Sequence, residues 1–216
     1  KYMDEWYEEL DFEENPFSTN PSDFLKNLVG VDNIVDDLIY YVQSGSIVFI
    51  EGKSGTGRTS LMRKIIKRFR GKGKVIYVNA EKLDKTLNVE ELLTRRSGFI
   101  KGMLMKKKPK NMILLIDNVS RLSFKNMERV KYFFDQNYLK SVIFAGDDIS
   151  KVGFSQSLLQ RLEGRKINIP RLTKEQVVSM VRERIGSSSF FSDDMVGAVA
   201  DNVSNNPKEL LKSLEE

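Results

Sequence analysis

Short runs of wholly apolar residues alternate with amphipathic segments through most of this chain. In residues 47–50 and 112–116 no polar side chain interrupts the run. Strands that are apolar on both faces lie inside a sheet that is covered on both sides, which is typical of parallel sheets flanked by helices. The alternation therefore predicts an α/β fold built on a parallel sheet.

The same pattern divides the chain into three parts. Strands are predicted at 47–50, 75–78, 112–116, 141–145 and 166–169, and helices at 31–42, 61–69, 89–101 and 124–134. After residue 170 no strand recurs, and polar breaks divide the remainder into three helices. We expect an acidic aromatic arm over 1–27, an α/β domain over 28–170 and a small all-helical domain over 171–216.

The composition excludes several classes of chemistry. The 216 residues include no cysteine and no histidine, so thiolate nucleophiles, Cys/His zinc clusters and Ser-His-Asp triads are absent. The longest apolar run is far shorter than the roughly 20 residues of a membrane helix. No secretory signal pattern opens the sequence. We expect a cytoplasmic protein without membrane contact, whose chemistry depends on carboxylates, Lys, Arg, hydroxyls or a metal.

A glycine-rich string between a predicted strand and a predicted helix carries the strongest functional signal. Residues 52–59 match GxxxxGK[ST] at every fixed position except the lysine. Successive backbone N–H groups of such a loop surround a phosphate, and the dipole of the following helix attracts the anion. The candidate nucleotide-binding residues are Gly52, Lys53, Ser54, Gly55, Thr56, Gly57, Arg58, Thr59 and Ser60. An ordinary glycine-rich turn is the alternative interpretation.

Arg58 stands where this pattern has lysine. An arginine keeps the positive charge, but its planar fork does not reproduce a compact ammonium between two phosphate oxygens. We therefore expect nucleotide binding to survive while catalysis suffers.

The next signal is an acid at the end of an apolar strand. Asp117 follows residues 112–116, a position from which it can hold Mg²⁺ through its water shell opposite the Thr59 hydroxyl. Asn118 follows, and an amide cannot accept the proton of an attacking water. Thr59 and Asp117 are thus the candidate metal ligands, although Asp117 alone would also suit a simple strand cap.

The ordered set of motifs resembles the AAA+ ATPases, especially the branch of origin-recognition initiators, clamp-loader subunits and small archaeal ATPases. Besides the loop and Asp117, the likeness is carried by residues 15–17 with 28–31, 157–162 with 167–173, and 206–210. It implies a five-stranded parallel sheet in the order 5-1-4-3-2, a helical lid, and bound ATP or ADP with Mg²⁺. It also implies that Val29 packs on adenine.

The resemblance assigns further roles residue by residue. Arg161 would act as an arginine finger on the nucleotide of a neighbouring subunit, which implies a homo- or hetero-oligomer. Lys208 would contact the γ-phosphate from the lid, and Asp147 would occupy the first-sensor position. Each also has a plain alternative: a solvated helix charge, a surface lysine and a turn residue.

Departures from the family pattern concentrate on hydrolysis. Arg58 replaces the loop lysine, Asn118 a glutamate, Asp147 a neutral sensor and Lys208 an arginine. We therefore predict a nucleotide-dependent switch or assembly factor with weak or absent hydrolysis, acting in DNA replication or another DNA transaction. The alternatives are a non-hydrolysing scaffold for a protein partner and a competent ATPase that remodels other proteins.

Charge is distributed unevenly along the chain. Residues 1–40 contain eleven acids and two lysines, whereas residues 41–110 contain eighteen Lys and Arg against five acids. The basic segments 63–74 and 106–110 predict contact with a DNA backbone, unless they form a solvated helix face and loop. The aromatic arm predicts a protein partner, unless its rings pack on the chain's own core.

Overall fold

A five-stranded parallel sheet forms the centre of the computed structural model, which describes residues 6–25, 28–70, 75–83, 88–96 and 110–216. The strands are β1 (Ile47–Glu51), β2 (Val75–Asn79), β3 (Met112–Asp117), β4 (Leu139–Gly146) and β5 (Lys166–Asn168). Their spatial order is β2-β3-β4-β1-β5. This is the predicted order read from the opposite edge, so the fold class is confirmed.

Helices cover both faces of the sheet. They are α1 (Asp32–Ser44), α2 (Arg58–Phe69), α3 (Val89–Arg96), α4 (Phe124–Asp135) and α5 (Gln156–Leu162). Alternate residues of the central strands enter two separate apolar clusters, with Phe49 in one and Val48 in the other. This is why residues 47–50 and 112–116 carry no polar side chain on either face. The predicted continuation of the third helix to residue 101 lies outside the described residues.

Parallel strands place their carboxyl ends at one edge of the sheet. Glu51 pairs with Gly146, and Asn79 pairs with Asp117, so four strand ends lie together there. The loop after β1 and the turns after β3 and β4 leave the sheet at this edge. Ligands of open α/β sheets bind in the crevice outside these strand ends.

Three helices follow the sheet and have an apolar core of their own. They are α6 (Lys174–Ile185), α7 (Asp193–Asn202) and α8 (Pro207–Glu215). Val181, Val196 and Leu210 are fully buried among them, and a capping box at Thr173 begins α6. We call these three helices the lid. The domain boundaries at 27/28 and 170/171 remain predictions.

The arm packs against the lid over its described residues. Phe17 is 5% exposed and belongs to the lid core, where its ring stacks on Trp6 at 5.9 Å. Arg184 of α6 donates to the carbonyls of Pro16 and Ser18 at 3.2 and 2.9 Å. Of the two interpretations of the arm, packing on the chain's own core therefore holds for Phe17, which is not free to anchor a partner.

Arg184 also lies over the ring of Phe24, at 4.3 Å from its centroid. Burial lowers the pKa of the Arg184 guanidinium to about 10, while Asp23 and Glu14 oppose that shift. The side chain therefore keeps its charge at neutral pH, and the charged hydrogen bonds fasten the arm to α6.

Within the described residues, none of the helices has both the length and the apolar character that a bilayer crossing requires.

Removal of the Phe17 ring tests the docking of the arm. We expect Phe17→Ala to lower the free energy of unfolding by about 3 kcal/mol, because a buried aromatic ring is lost and a cavity remains. Phe124→Ala is the matched control: its ring is 57% exposed, so a change within about 0.5 kcal/mol is expected. Urea unfolding followed by far-UV circular dichroism measures both. Equal losses in the two variants would show that the arm does not depend on Phe17.

Candidate functional site

The glycine-rich loop joins β1 to α2 in a tight turn. Gly55 and Gly57 have φ values of +82° and +95°, which residues with a Cβ rarely adopt. The amide of Gly52 donates to Gly146 at 3.1 Å, and the Thr56 hydroxyl donates to the Lys53 carbonyl at 2.7 Å. The loop is thus fixed at the end of β4 and places the N-terminus of α2 beside it. Unpaired amides and the helix dipole make such an end attractive to phosphate.

A cavity of about 340 Å³ opens over this loop and lies between the sheet, the lid and the arm. The loop residues from Ser54 to Ser60 line one part. Apolar side chains of Val29, Leu172, Met180 and Leu211 line another, and arm residues 18–21 and 23 also contribute. The combination of a phosphate-binding loop and an apolar end suits a nucleotide, with the base at the apolar end. Gly52 and Lys53 of the predicted set do not line the cavity, and Lys53 is exposed.

Thr59 and Asp117 converge on one point as the sequence predicts. The Thr59 hydroxyl donates to Asp117 Oδ2 at 2.5 Å, and the Tyr77 hydroxyl donates to the same oxygen at 3.2 Å. Burial and the Asp117 carboxylate raise the pKa of Tyr77 to about 12, so its phenol remains a donor at neutral pH. Hydroxyl and carboxylate oxygens are the ligands that Mg²⁺ prefers.

The donor set fits a magnesium ion held jointly with a nucleotide. Among the described residues there is no group of three or more acidic side chains that would enclose an ion alone. Mg²⁺ usually takes one or two protein ligands and completes its shell with water and phosphate oxygens. Thr59 and Asp117, next to the phosphate-binding loop, meet that requirement.

Arg58 turns toward protein acceptors at the edge of the sheet. Its guanidinium donates to the Gly52 carbonyl at 2.7 Å, to Asn118 Oδ1 at 2.9 Å and to the Asp147 carboxylate. Its Nε lies 3.9 Å from Asp117 Oδ1, and the residue is 8% exposed. The positive charge that the loop would offer to phosphate is therefore shared with the protein's own acceptors.

Asn118 is the second member of this network. Its backbone is left-handed, with φ +53°, and its amide Nδ2 donates to Asn79 Oδ1 at 3.0 Å and to Glu81 Oε2 at 3.4 Å. Because its Oδ1 accepts from Arg58, both ends of the side chain are occupied. The side chain thus holds Arg58 in place instead of presenting a base to water.

Asp147 is the third member, and the structure distinguishes it from its neighbour. Asp148 has the turn role, since its carboxylate accepts from the Ser150 amide at 2.9 Å. Asp147 pairs instead with Arg58. Asp147 lies in the bend after β4, so a turn position and the contact with Arg58 are compatible, and three departures from the family pattern form one connected cluster.

The lid touches the phosphate-binding loop directly. Asn206 Nδ2 donates to the Ser54 carbonyl at 2.9 Å, and the Lys208 amide lies 3.4 Å from the Gly55 carbonyl. Lys208 also lines the cavity, where the predicted γ-phosphate contact requires it. A polar contact between α8 and the loop thus joins the two parts of the chain at the candidate site.

Arg161 is engaged elsewhere in the chain. Its guanidinium donates three hydrogen bonds to Asp135 of α4, at 2.8, 2.9 and 3.2 Å, and two to Ser157, at 3.2 Å to Oγ and 3.3 Å to the carbonyl. It does not line the cavity, as expected for a group that serves a neighbouring subunit. The finger role stays a prediction, and it requires release from Asp135.

Sequence reasoning missed several residues of the site. Asn79 is the last residue of β2 and Glu81 follows it, and the register that pairs Asn79 with Asp117 brings both to Asn118. A polar residue at the end of a strand was the available signal. No local pattern indicates that arm residues 18–21 and 23 would form a wall of the cavity, because that wall depends on the arm packing against the lid.

Comparison with known proteins agrees with this geometry. Residues 44–173 match a family model described as an AAA domain, which covers more than half of the chain. The chain belongs to the AAA domain family, and this confirms the resemblance to the AAA+ ATPases. No curated protein sequence matches the chain.

Solved structures share the fold. Cdc6p from Pyrobaculum aerophilum superposes with a TM-score of 0.75 at 14% identity, over 94% of this chain and 64% of that one. The Aeropyrum pernix Orc1 protein, solved in complex with DNA, gives 0.67 at 16%, over 88% and 59%. Domain III of the Thermotoga maritima replication initiation protein DnaA gives 0.66 at 19%, over 90% and 87%. This chain spans less than two thirds of the Cdc6p and Orc1 chains, and at these identities the likeness concerns the fold alone.

Two glycine substitutions test the contact between the lid and the loop. A Cβ at Gly55 would lie 2.5 Å from Asn206 Oδ1, whereas a Cβ at Gly57 meets nothing within 4 Å. Both sites have positive φ, so the backbone strain of an alanine is shared. We expect Gly55→Ala to displace α8 from the loop and to raise amide hydrogen exchange in residues 207–215. Gly57→Ala should leave that exchange unchanged, and equal exchange in both variants would contradict the contact.

Proposed function

We propose that this chain is a nucleotide-dependent switch that binds ATP or ADP with Mg²⁺ and hydrolyses ATP slowly or not at all. The observation that carries the proposal is the sharing of the Arg58 guanidinium among Gly52, Asn118 and Asp147. Binding requires the loop and the Thr59–Asp117 pair, and both are retained. Hydrolysis requires further groups, and those are the ones that differ.

Phosphoryl transfer depends on charge stabilisation and on an oriented water. A γ-phosphate at this loop would have to compete with Asp147 for the Arg58 guanidinium. Asn118 cannot act as a base, and its amide is already bonded at both ends. These residues therefore suit the binding of a nucleotide, whereas Asn118 offers the attacking water no proton acceptor at the position where the family pattern has glutamate.

Three parts of the chain surround the cavity, which supports a switch. The loop, the lid through Lys208 and the arm through residues 18–21 and 23 all line it. A nucleotide shifts the equilibrium between two conformations of a protein only when it binds one conformation more tightly than the other. Lys208 supplies that difference, because a γ-phosphate offers its ammonium a partner that ADP does not.

We propose that the chain acts on DNA and contacts the phosphate backbone of the DNA. Lys67, Arg68 and Arg70 are exposed at the end of α2. Arg63 is instead placed over the Tyr77 ring at 5.7 Å, and Lys64 lies 3.9 Å from Asp32. The predicted basic surface is thus narrower than 63–70, and residues 71–74 and 106–109 lie outside the described residues. The Orc1 structure in complex with DNA has the same fold.

Assembly is proposed through Arg161. Its partner Asp135 lies at the surface, so release of Arg161 would leave neither charge buried without compensation. A nucleotide phosphate of a neighbouring subunit would offer the same fork a second pair of acceptors. An oligomer that forms only with nucleotide would follow from this exchange.

Restoration of the missing groups tests the hydrolysis claim. Arg58→Lys alone removes the fork that bonds Asn118 and Asp147 together and supplies no base, so we expect little gain. The triple variant Arg58→Lys, Asp147→Asn, Asn118→Glu restores a compact cation, a neutral sensor and a base. We expect single-turnover hydrolysis of radiolabelled ATP to rise at least about 100-fold in the triple variant.

Arg121→Lys, at an exposed arginine outside the network, is the matched control and should change nothing. Hydrolysis in the unaltered chain that equals that of the triple variant would overturn the proposal. So would a triple variant that binds ATP as the unaltered chain does and still fails to hydrolyse it.

A charge reversal on α2 tests the DNA contact. We expect Lys67→Glu with Arg68→Glu to weaken binding to duplex DNA and to reduce the slope of log affinity against log salt by about 2, because two phosphate contacts are lost. Lys125→Glu with Lys140→Glu changes the net charge equally at exposed sites and should leave the slope unchanged. Fluorescence anisotropy measures both. Equal effects would assign the binding to net charge alone.

A further inference from the structure

A second cavity lies between the arm and the lid and is almost wholly apolar. It has a volume of about 140 Å³ and shares no lining residue with the nucleotide cavity. We call it the arm–lid groove. Its lining consists of Trp6, Leu10, Phe12, Phe17, Ile185, Phe190, Phe191, Leu214 and Glu215.

Large apolar side chains remain exposed at this groove. Trp6 and Leu10 are each 38% exposed, and Phe190 is 53% exposed. Single exposed apolar residues are ordinary on protein surfaces, but three around one cavity form a patch of the kind found at interaction sites. These exposed side chains could thus serve as anchors for a partner, because the protein's own core does not cover them.

The walls of the groove are held in place by specific contacts. The Trp6 ring stacks on Phe17, which packs edge-on against Phe191 at 5.8 Å. Asn15 donates to Glu215 at 2.6 Å and fastens the arm to the end of α8. The groove is therefore preformed, and a ligand would bind without ordering these side chains first.

The turn between α6 and α7, which carries Phe190, is fixed as well. Arg182 bonds to Asp193 at 2.6 Å, to the Ser188 carbonyl at 2.9 Å and to the Phe191 carbonyl. These bonds occupy its guanidinium on both sides of Phe190. Arg182 is therefore not an uncompensated cation beside the groove.

Acidic residues are neighbours in sequence of the arm residues that line the groove. Between residues 6 and 25 there are six acids and no Lys or Arg. The arm acids next to the lining residues are exposed, and Glu215 contributes to the lining itself. The exposed arm acids are Glu8, Glu9, Asp11, Glu13 and Glu14. A ligand with matching positive charge would be attracted and oriented, whereas an anionic surface would be repelled.

We propose that the arm–lid groove is a docking site for a segment of a partner protein that presents large apolar side chains flanked by Lys and Arg. The apolar side chains fill the cavity between Leu10 and Phe190, and the basic residues pair with the acidic arm. The docking site is independent of the nucleotide cavity. Phe17 forms part of the floor of the groove and is not one of its exposed anchors.

Selection from a random peptide library on the immobilised full chain tests the proposal. We expect enrichment of peptides that combine large apolar residues with Lys or Arg. Trp6 is the sole tryptophan of the chain, so its fluorescence reports binding of a selected peptide directly. Added salt should weaken that binding, because the charges are exposed.

Substitutions at exposed positions locate the binding without disturbing the core. Leu10→Ala with Phe190→Ala should weaken a selected peptide by at least about tenfold, as truncated anchors do. Phe124→Ala, at a similarly exposed ring away from the groove, should leave the affinity unchanged.

Several results would overturn the docking proposal. One is equal enrichment of acidic or uncharged peptides. Another is a peptide affinity that the Leu10 and Phe190 substitutions leave unchanged. A third is concentration-dependent self-association, seen in sedimentation, that those substitutions abolish. The last result would assign the groove to a second copy of this chain. None of these outcomes bears on nucleotide binding, which is measured separately.

Discussion

A fully buried carboxylate, that of Asp117, is the constraint on which the candidate site depends. A buried charge is strongly destabilising unless hydrogen bonds and an opposite charge compensate it. Thr59 and Tyr77 donate to its Oδ2, and Arg58 lies beside its Oδ1. These contacts come from the first turn of α2 and from β2. The hydrogen bonds and the opposite charge that Asp117 needs thus hold neighbouring elements together at the edge of the sheet where the nucleotide cavity opens.

Arg58 extends that network to the ends of β3 and β4. A lysine at this position would lack the fork that reaches Gly52, Asn118 and Asp147 together. The arginine needs acceptors, and Asn118 and Asp147 supply them. The three departures from the family pattern are thus one structural change with three parts. A single reversion would break the cluster without rebuilding a hydrolytic site, which is why the departures have to be tested together.

The sequence predicted the fold well because the signals were local. Apolar runs such as 112–116 give buried strands, and the glycine spacing of 52–59 gives the loop. The closeness of Thr59 and Asp117 was predictable, because Thr59 lies at the start of the helix after the loop and Asp117 at the end of a buried strand. The Arg58–Asp147 pair and the arm residues in the cavity wall were not predictable, because they depend on contacts between distant segments. The lining of the arm–lid groove was missed for the same reason: it requires the packing of the arm on α6 and α8.

Equilibrium binding of ATP and ADP to the unaltered chain with Mg²⁺, joined to single-turnover hydrolysis of the bound ATP, tests the central claim most directly. The account predicts that both nucleotides bind and that bound ATP persists without conversion to ADP. Rapid conversion would mean that other residues supply the charge and the base, as in the competent ATPase alternative. Absence of nucleotide binding would contradict the assignment of the cavity itself.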